Sequence, residues 1–188
     1  ASPGARAVAL GQAAFTTSHD PFAAFWNPGG LGLIRDSQIG FTARHELDQG
    51  FVSGAHFVPR VGTLSFAFSR FNLSREFLTA DSSGPAFDRV TTAFARSFLP
   101  GLYLGSAVTW NRIKAQDLKF TTLSLGLVYF PFAENKSFFE PAFASTTFFN
   151  QLFLPESFVI AATVHDIPLG RKELSTFADI GASYRVLP

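Results

Sequence analysis

Thr63-Leu64-Ser65-Phe66-Ala67-Phe68-Ser69 alternates without a break, and it decides the fold class. Leu64, Phe66 and Phe68 fall on one side; Thr63, Ser65, Ala67 and Ser69 fall on the other. A period of two with one large apolar face marks a β-strand, because successive side chains of an extended chain point in opposite directions. The same pattern recurs at 101–111, 121–129 and 176–186, and less cleanly at 38–46, 51–58, 90–98 and 157–165. With 63–73 this predicts eight strands. A soluble β-sandwich would alternate in the same way. The second face argues against it: its positions are Gly, Ala, Ser and Thr, with few of the Lys and Glu that coat a solvated sheet.

Composition points the same way. The chain has 188 residues, of which 47% are hydrophobic and only 15% charged, against roughly 25% charged in soluble domains. Phe occurs 24 times. So aromatic a chain is not intrinsically disordered, and a net charge of +1 offers no field for a nucleic-acid backbone. Cys is absent, which removes disulfides, thiolate metal sites and cysteine nucleophiles. Met is absent too, even at position 1, so a processed product or a fragment is expected. A helical span needs about 20 consecutive apolar residues, and the sequence has none. The other structure that satisfies its backbone in lipid is a closed β-barrel.

The connections supply a repeat. Val58-Pro59, Leu99-Pro100, Phe130-Pro131 and Leu187-Pro188 each pair an apolar residue with Pro at the end of an even-numbered strand. The opposite ends carry polar links at 47–50, 74–88, 113–118 and 167–174. Short turns on one rim and long polar loops on the other suit a membrane barrel. So do aromatics near the strand ends: Phe57, Phe98, Tyr103, Tyr129, Phe130 and Tyr184 toward one rim, Phe51, Phe71, Trp110, Phe120 and Phe177 toward the other. Residues 133–155 interrupt the meander with Phe138, Phe139, Phe143, Phe148, Phe149 and Phe153. They suit an interfacial helix, an extra hairpin or a partner-binding element.

Residues 1–36 do not alternate. They contain Gly4-Ala5-Arg6-Ala7, then Asp20-Pro21, then Trp26-Asn27-Pro28-Gly29-Gly30-Leu31, a run of turn chemistry. In this order and spacing they resemble the N-terminus of the PorV/PorQ-like and FadL-like outer-membrane β-barrels. The resemblance covers about the first 34 residues and is carried by Gly4, Arg6, Gly11, Asp20, Pro21, Trp26, Asn27, Pro28 and Leu31. Gln12, His19 and Gly29 depart from it. It implies a barrel of about fourteen strands, of which eight are present, located in the bacterial outer membrane. It also implies that residues 1–36 form a hatch in the lumen, with residues 37–188 forming the wall. Phe15, His19, Asp20, Phe22, Phe25, Trp26, Asn27 and Pro28 would then line the hatch or a ligand. Arg44, Glu46, Asp179 and Arg185 fall on the lumen side of their strands.

Catalytic and metal chemistry is not expected. His19, His45, His56 and His165 lack metal-ligand spacing, and Ser18-His19-Asp20 are sequence neighbours, which rarely reach triad geometry. No cofactor is implied. The FadL branch implies passage or gating of hydrophobic molecules. The PorV branch implies type IX secretion with a protein partner. A purely structural subunit of an envelope complex is the third reading. The partners expected are outer-membrane lipid, hydrophobic small molecules and envelope proteins, and no nucleic acid. Thirty-six hatch residues do not fit inside an eight-stranded barrel, whose interior its own side chains fill. Further strands are therefore expected, from a continuation of the chain or from neighbouring chains.

Overall fold

The computed structural model describes residues 20–44, 49–72, 86–114, 117–131, 158–169 and 176–184. They form one antiparallel sheet of eight strands in sequence order: β1 (Ser37–Arg44), β2 (Gln49–Val58), β3 (Gly62–Asn72), β4 (Ala86–Leu99), β5 (Leu102–Ile113), β6 (Leu118–Tyr129), β7 (Phe158–Leu169) and β8 (Phe177–Tyr184). Ahead of them lie one turn of helix, α1 (Ala23–Trp26), and a 3-10 helix (Pro28–Leu33). No pairing joins β1 to β8 among the described residues.

Several strands outrun their expected ends, β4 and β7 the furthest. β4 begins at Ala86, inside the expected 74–88 loop, because Asp88 faces Arg70 on β3 and ion-pairs with it at 2.6 Å. β7 continues past His165 to Leu169. The register between β6 and β7 shifts between Leu123 and Leu125, and Asp166 takes φ 55°. This is a β-bulge, which lets two successive residues share one face.

The small-residue face is covered. Ser53, Ala55, Thr63, Ser65, Ala67, Ser69, Thr91, Ala93, Ala95, Ala107, Thr109, Thr122 and Ser124 are all buried. What covers much of it is the segment 20–36, whose Ala23, Ala24, Leu31 and Ile34 join Ala55, Ala93, Ala95 and Ala107 in one apolar cluster. The segment also shows that the sheet curls. The Phe22 ring lies against Gly40 of β1, and four residues later the Trp26 backbone is hydrogen-bonded by His165 of β7. Six inter-strand steps separate β1 from β7, about 29 Å across a flat sheet. Four helical residues rise only about 6 Å. Contact with both strands therefore requires a concave inner face.

Candidate functional site

The densest constellation is the seat of the N-terminal segment. Asp20 opens it: its Oδ1 accepts the Phe22 amide at 2.9 Å, an Asx turn that launches α1. Asn27 ends α1 and starts the 3-10 helix. Its Oδ1 accepts the Gly29 amide at 3.0 Å, and its Nδ2 donates to the Leu127 carbonyl of β6 at 3.0 Å. The side chain is fully buried, so both bonds are made out of water, where an unmade one is costly.

Two glycines of the wall make this approach possible. Gly105 of β5 and Gly126 of β6 face each other in register. A Cβ on Gly105 would run into the Pro28 carbonyl group and stand 2.6 Å from the Gly29 nitrogen. A Cβ on Gly126 would collide with Asn27 Oδ1 and stand 2.7 Å from the Gly29 nitrogen. A Cβ on Gly29 would in turn meet the Gly126 carbonyl carbon at 2.9 Å. Apart from the Asn27 and Pro28 side chains, backbone packs on backbone here, and the Asn27 amide is itself held by two hydrogen bonds.

Other contacts hold the ends of the segment. Ser53 Oγ donates to the Pro21 carbonyl at 2.6 Å, and Thr63 Oγ1 to the Ile34 carbonyl at 3.3 Å. Phe25 meets Phe51 edge-on, with centroids 6.2 Å apart. The Arg35 guanidinium donates to the Gly32 carbonyl at 2.7 Å and lies 5.3 Å from the Phe57 centroid and 5.7 Å from that of Tyr103.

A polar cluster lines the inner face beside Trp26. Arg89 Nε donates to Asn111 Oδ1 at 3.1 Å, and the Thr91 and Thr109 hydroxyls are 3.0 Å apart. Thr122 Oγ1 donates to Asp166 Oδ1 at 3.1 Å. His165 Nε2 lies 3.8 Å from Asp179 Oδ2, and the Asp166 carboxylate is within electrostatic reach of both Arg89 and His165. Among the described residues no group of three His, Asp or Glu side chains could hold a metal ion. Asn111 Nδ2 also donates to the Thr109 carbonyl at 3.4 Å and Arg89 lies 5.6 Å from the Phe87 centroid, so these groups meet one another, the wall and the segment's backbone.

Of the expected site residues, Asp20, Phe22, Phe25, Trp26, Asn27 and Pro28 all lie in the segment on the inner face. There the Phe22 ring is packed on Gly40 and Pro28 on Gly105. Asp179 meets His165 as part of the polar cluster. Arg44 ends β1 opposite the buried Gln49. Phe15, His19, Glu46, Arg185 and the insert phenylalanines Phe138, Phe139, Phe143, Phe148, Phe149 and Phe153 lie outside the described residues. Arg89, Asn111 and Asp166 were not anticipated. The only hint is the charge of Arg89 and Asp166, set where alternation fades, and Asp166 falls between the expected strand 157–165 and the expected link 167–174.

The aromatic rims need correction. Phe51, Phe57, Tyr103 and Phe120 sit on the inner face, where Phe51 packs on Phe25, Tyr103 on Gly32, and Phe120 lies 6.5 Å from Phe87. Trp110, Phe98 and Tyr129 remain exposed. Position near a strand end does not set the face; parity does.

The outer face is apolar and exposed. Successive cross-strand rows read Phe68, Val90, Trp110; then Phe66, Thr92, Val108, Leu123; then Leu64, Phe94, Ser106, Leu125. On β1 and β8, Ile39, Phe41 and Ile180 are more than 80% exposed. Toward the loop rim the next row is Arg70, Asp88, Arg112, Lys119.

Set against protein-family models, curated proteins and solved structures, the chain matches none.

Proposed function

We propose that the chain is part of the wall of an outer-membrane β-barrel of the FadL or PorV kind. In this reading residues 20–36 are the inner end of a hatch that gates the passage of hydrophobic molecules. The observation that carries it is the division of the two faces: an exposed outer face of Phe, Leu, Val and Trp, and an inner face of small residues already occupied by the chain's own segment. A soluble sheet buries its apolar face and wets the other; here the arrangement is inverted. From Leu102 to Trp110 the outer apolar stretch of β5 is eight residue steps. That is about 27 Å of strand, or about 21 Å of height at a tilt of about 40°, against about 25 Å for the lipid-facing band of such barrels. The charged row Arg70, Asp88, Arg112, Lys119 falls where headgroups would begin.

Extraction and transport test the reading. The protein should leave membranes only with detergent, and circular dichroism should show β-structure with little helix. Reconstituted in vesicles, Asn27→Ala should raise leakage of hydrophobic solutes relative to the wild type. A monodisperse, detergent-free monomer in water would overturn the membrane reading. Unchanged leakage would overturn the hatch alone.

A further inference from the structure

The two rims of the sheet treat their cations differently. At the loop rim four are matched: Arg70 and Lys114 hold Asp88 at 2.6 and 3.3 Å, while Arg112 and Lys119 share Asp117 at 3.4 and 4.0 Å. At the turn rim Arg35, Arg60 and Arg96 line one open cavity of about 270 Å³, together with Phe57, Val61, Thr63 and Ser97. Among the described residues no Asp or Glu lines it, and none of the three arginines ion-pairs.

Arg35 borders the cavity from the inner face, Arg96 from the outer-face side of β4 beside Phe94, and Arg60 from the turn between β2 and β3. Arg35 is braced by its bond to the Gly32 carbonyl and by the Phe57 and Tyr103 rings, which leaves the rest of its donor fork to a ligand. Arg60 occupies φ 67°, an uncommon conformation for a residue other than glycine. The hydroxyl protons of Thr63 and Ser97 go to the Ile34 and Leu99 carbonyls. The unspent donors are therefore guanidinium groups, which match phosphate oxygens in charge and geometry. Val61 in the lining is 48% exposed, and Phe98 and Leu99, which follow the lining residue Ser97 on β4, are 70% and 56% exposed. A cationic pocket edged by bare apolar side chains suits an amphiphile whose head is anionic.

We propose that Arg35, Arg60 and Arg96 form a phosphate-binding site at the turn rim, filled by the headgroup of an anionic phospholipid whose chains lie along Val61, Phe98 and Leu99. The lipid as source rests on the membrane reading above; the phosphate site does not. The test uses the full chain, purified in an uncharged detergent. It is titrated with short-chain phosphatidylglycerol, short-chain phosphatidylcholine, glycerol 3-phosphate and inorganic phosphate, with affinity read by calorimetry. The wild type should bind phosphatidylglycerol at least about tenfold more tightly than phosphatidylcholine. Arg60→Gln with Arg96→Gln should remove at least about tenfold of that affinity, as expected for losing charge-assisted hydrogen bonds. Arg112→Gln with Lys119→Gln, at the other rim, should cost less than about twofold. Circular dichroism of each variant separates lost binding from lost folding. Both soluble phosphates binding as tightly as phosphatidylglycerol would overturn the lipid source and keep the site. Equal affinity of the wild type and the Arg60/Arg96 variant for every probe would overturn the site itself. Should the chain prove soluble without detergent, the inorganic phosphate titration still decides the cavity.

Discussion

The inner and outer faces of the sheet follow one alternation and opposite rules of size. On β3, Thr63, Ser65, Ala67 and Ser69 are buried while Leu64 and Phe66 are half exposed. In a water-soluble sheet the larger residues would be the hidden ones, since burial of apolar area drives folding. The inversion shows what each face is selected for. Inside, room matters: a folded chain segment has to lie against the wall, and a large side chain would push it off. Outside, apolar area is displayed, and it asks for an apolar surrounding or partner.

If this contrast is right, adding bulk inside should cost most. Gly126→Val places a branched side chain where Asn27 Oδ1 and the Gly29 amide now sit. It should destabilise the fold by about 3–5 kcal/mol, overpacking plus the lost Asn27 bonds. Limited proteolysis within 20–36 should accelerate in step. Gly50→Ala, whose Cβ would meet nothing within 4 Å, should leave both readouts unchanged. Equal behaviour of the two variants would break the contrast.

Next comes charge outside. Phe66 is 58% exposed on the outer face. In lipid, Phe66→Arg should lower stability by about 2–4 kcal/mol, measured by urea unfolding from vesicles. For an ordinary wetted surface the same change would stay within about 0.5 kcal/mol, so the pair of outcomes identifies the medium the face meets.

Removing the polar anchor should have a smaller effect. Asn27→Ala loses the bonds to Gly29 and Leu127 and orphans a buried amide and carbonyl, costing about 1–3 kcal/mol. Asn27→Asp keeps the acceptor for Gly29 and loses the donor to Leu127, so its proteolysis pattern separates the turn from the dock. If both variants match the wild type, the seat is held by the glycines alone. The smallest effect is expected at the loop rim. Arg112→Gln breaks an exposed pair at 3.4 Å and should shift stability by no more than about 1 kcal/mol. A larger loss would mean that the charged row holds the sheet together.

Much of this was legible in the chain. Strand existence and parity follow from runs such as 63–69 and 121–129, because period two is a local property. The turns at Asp20 and Asn27 follow from residue chemistry alone, since an Asx side chain closes its bond two residues on. The polar cluster was not legible. Arg89, Asn111, Thr122, His165 and Asp166 come from four strands, and only register brings them together. The bulge at Asp166 hid half of it, since a bulge interrupts the alternation that reveals a strand. The inner positions of Phe51, Phe57, Tyr103 and Phe120 are hidden for a related reason: nearness to a strand end says nothing about face.

The all-β character of the chain, the residues that share a face and the two turns that shape its N-terminal segment are written in the order of its residues. Each of these depends on groups a few residues apart, so the local pattern contains the answer. Which face is concave, that Gly105 and Gly126 form one seat, and that Asn27 reaches the Leu127 carbonyl 100 positions away all emerge from the assembled sheet. Alternation is symmetric between inside and outside. The symmetry is broken only when the sheet curls, the strands take register, and a segment lies down on the side with room for it.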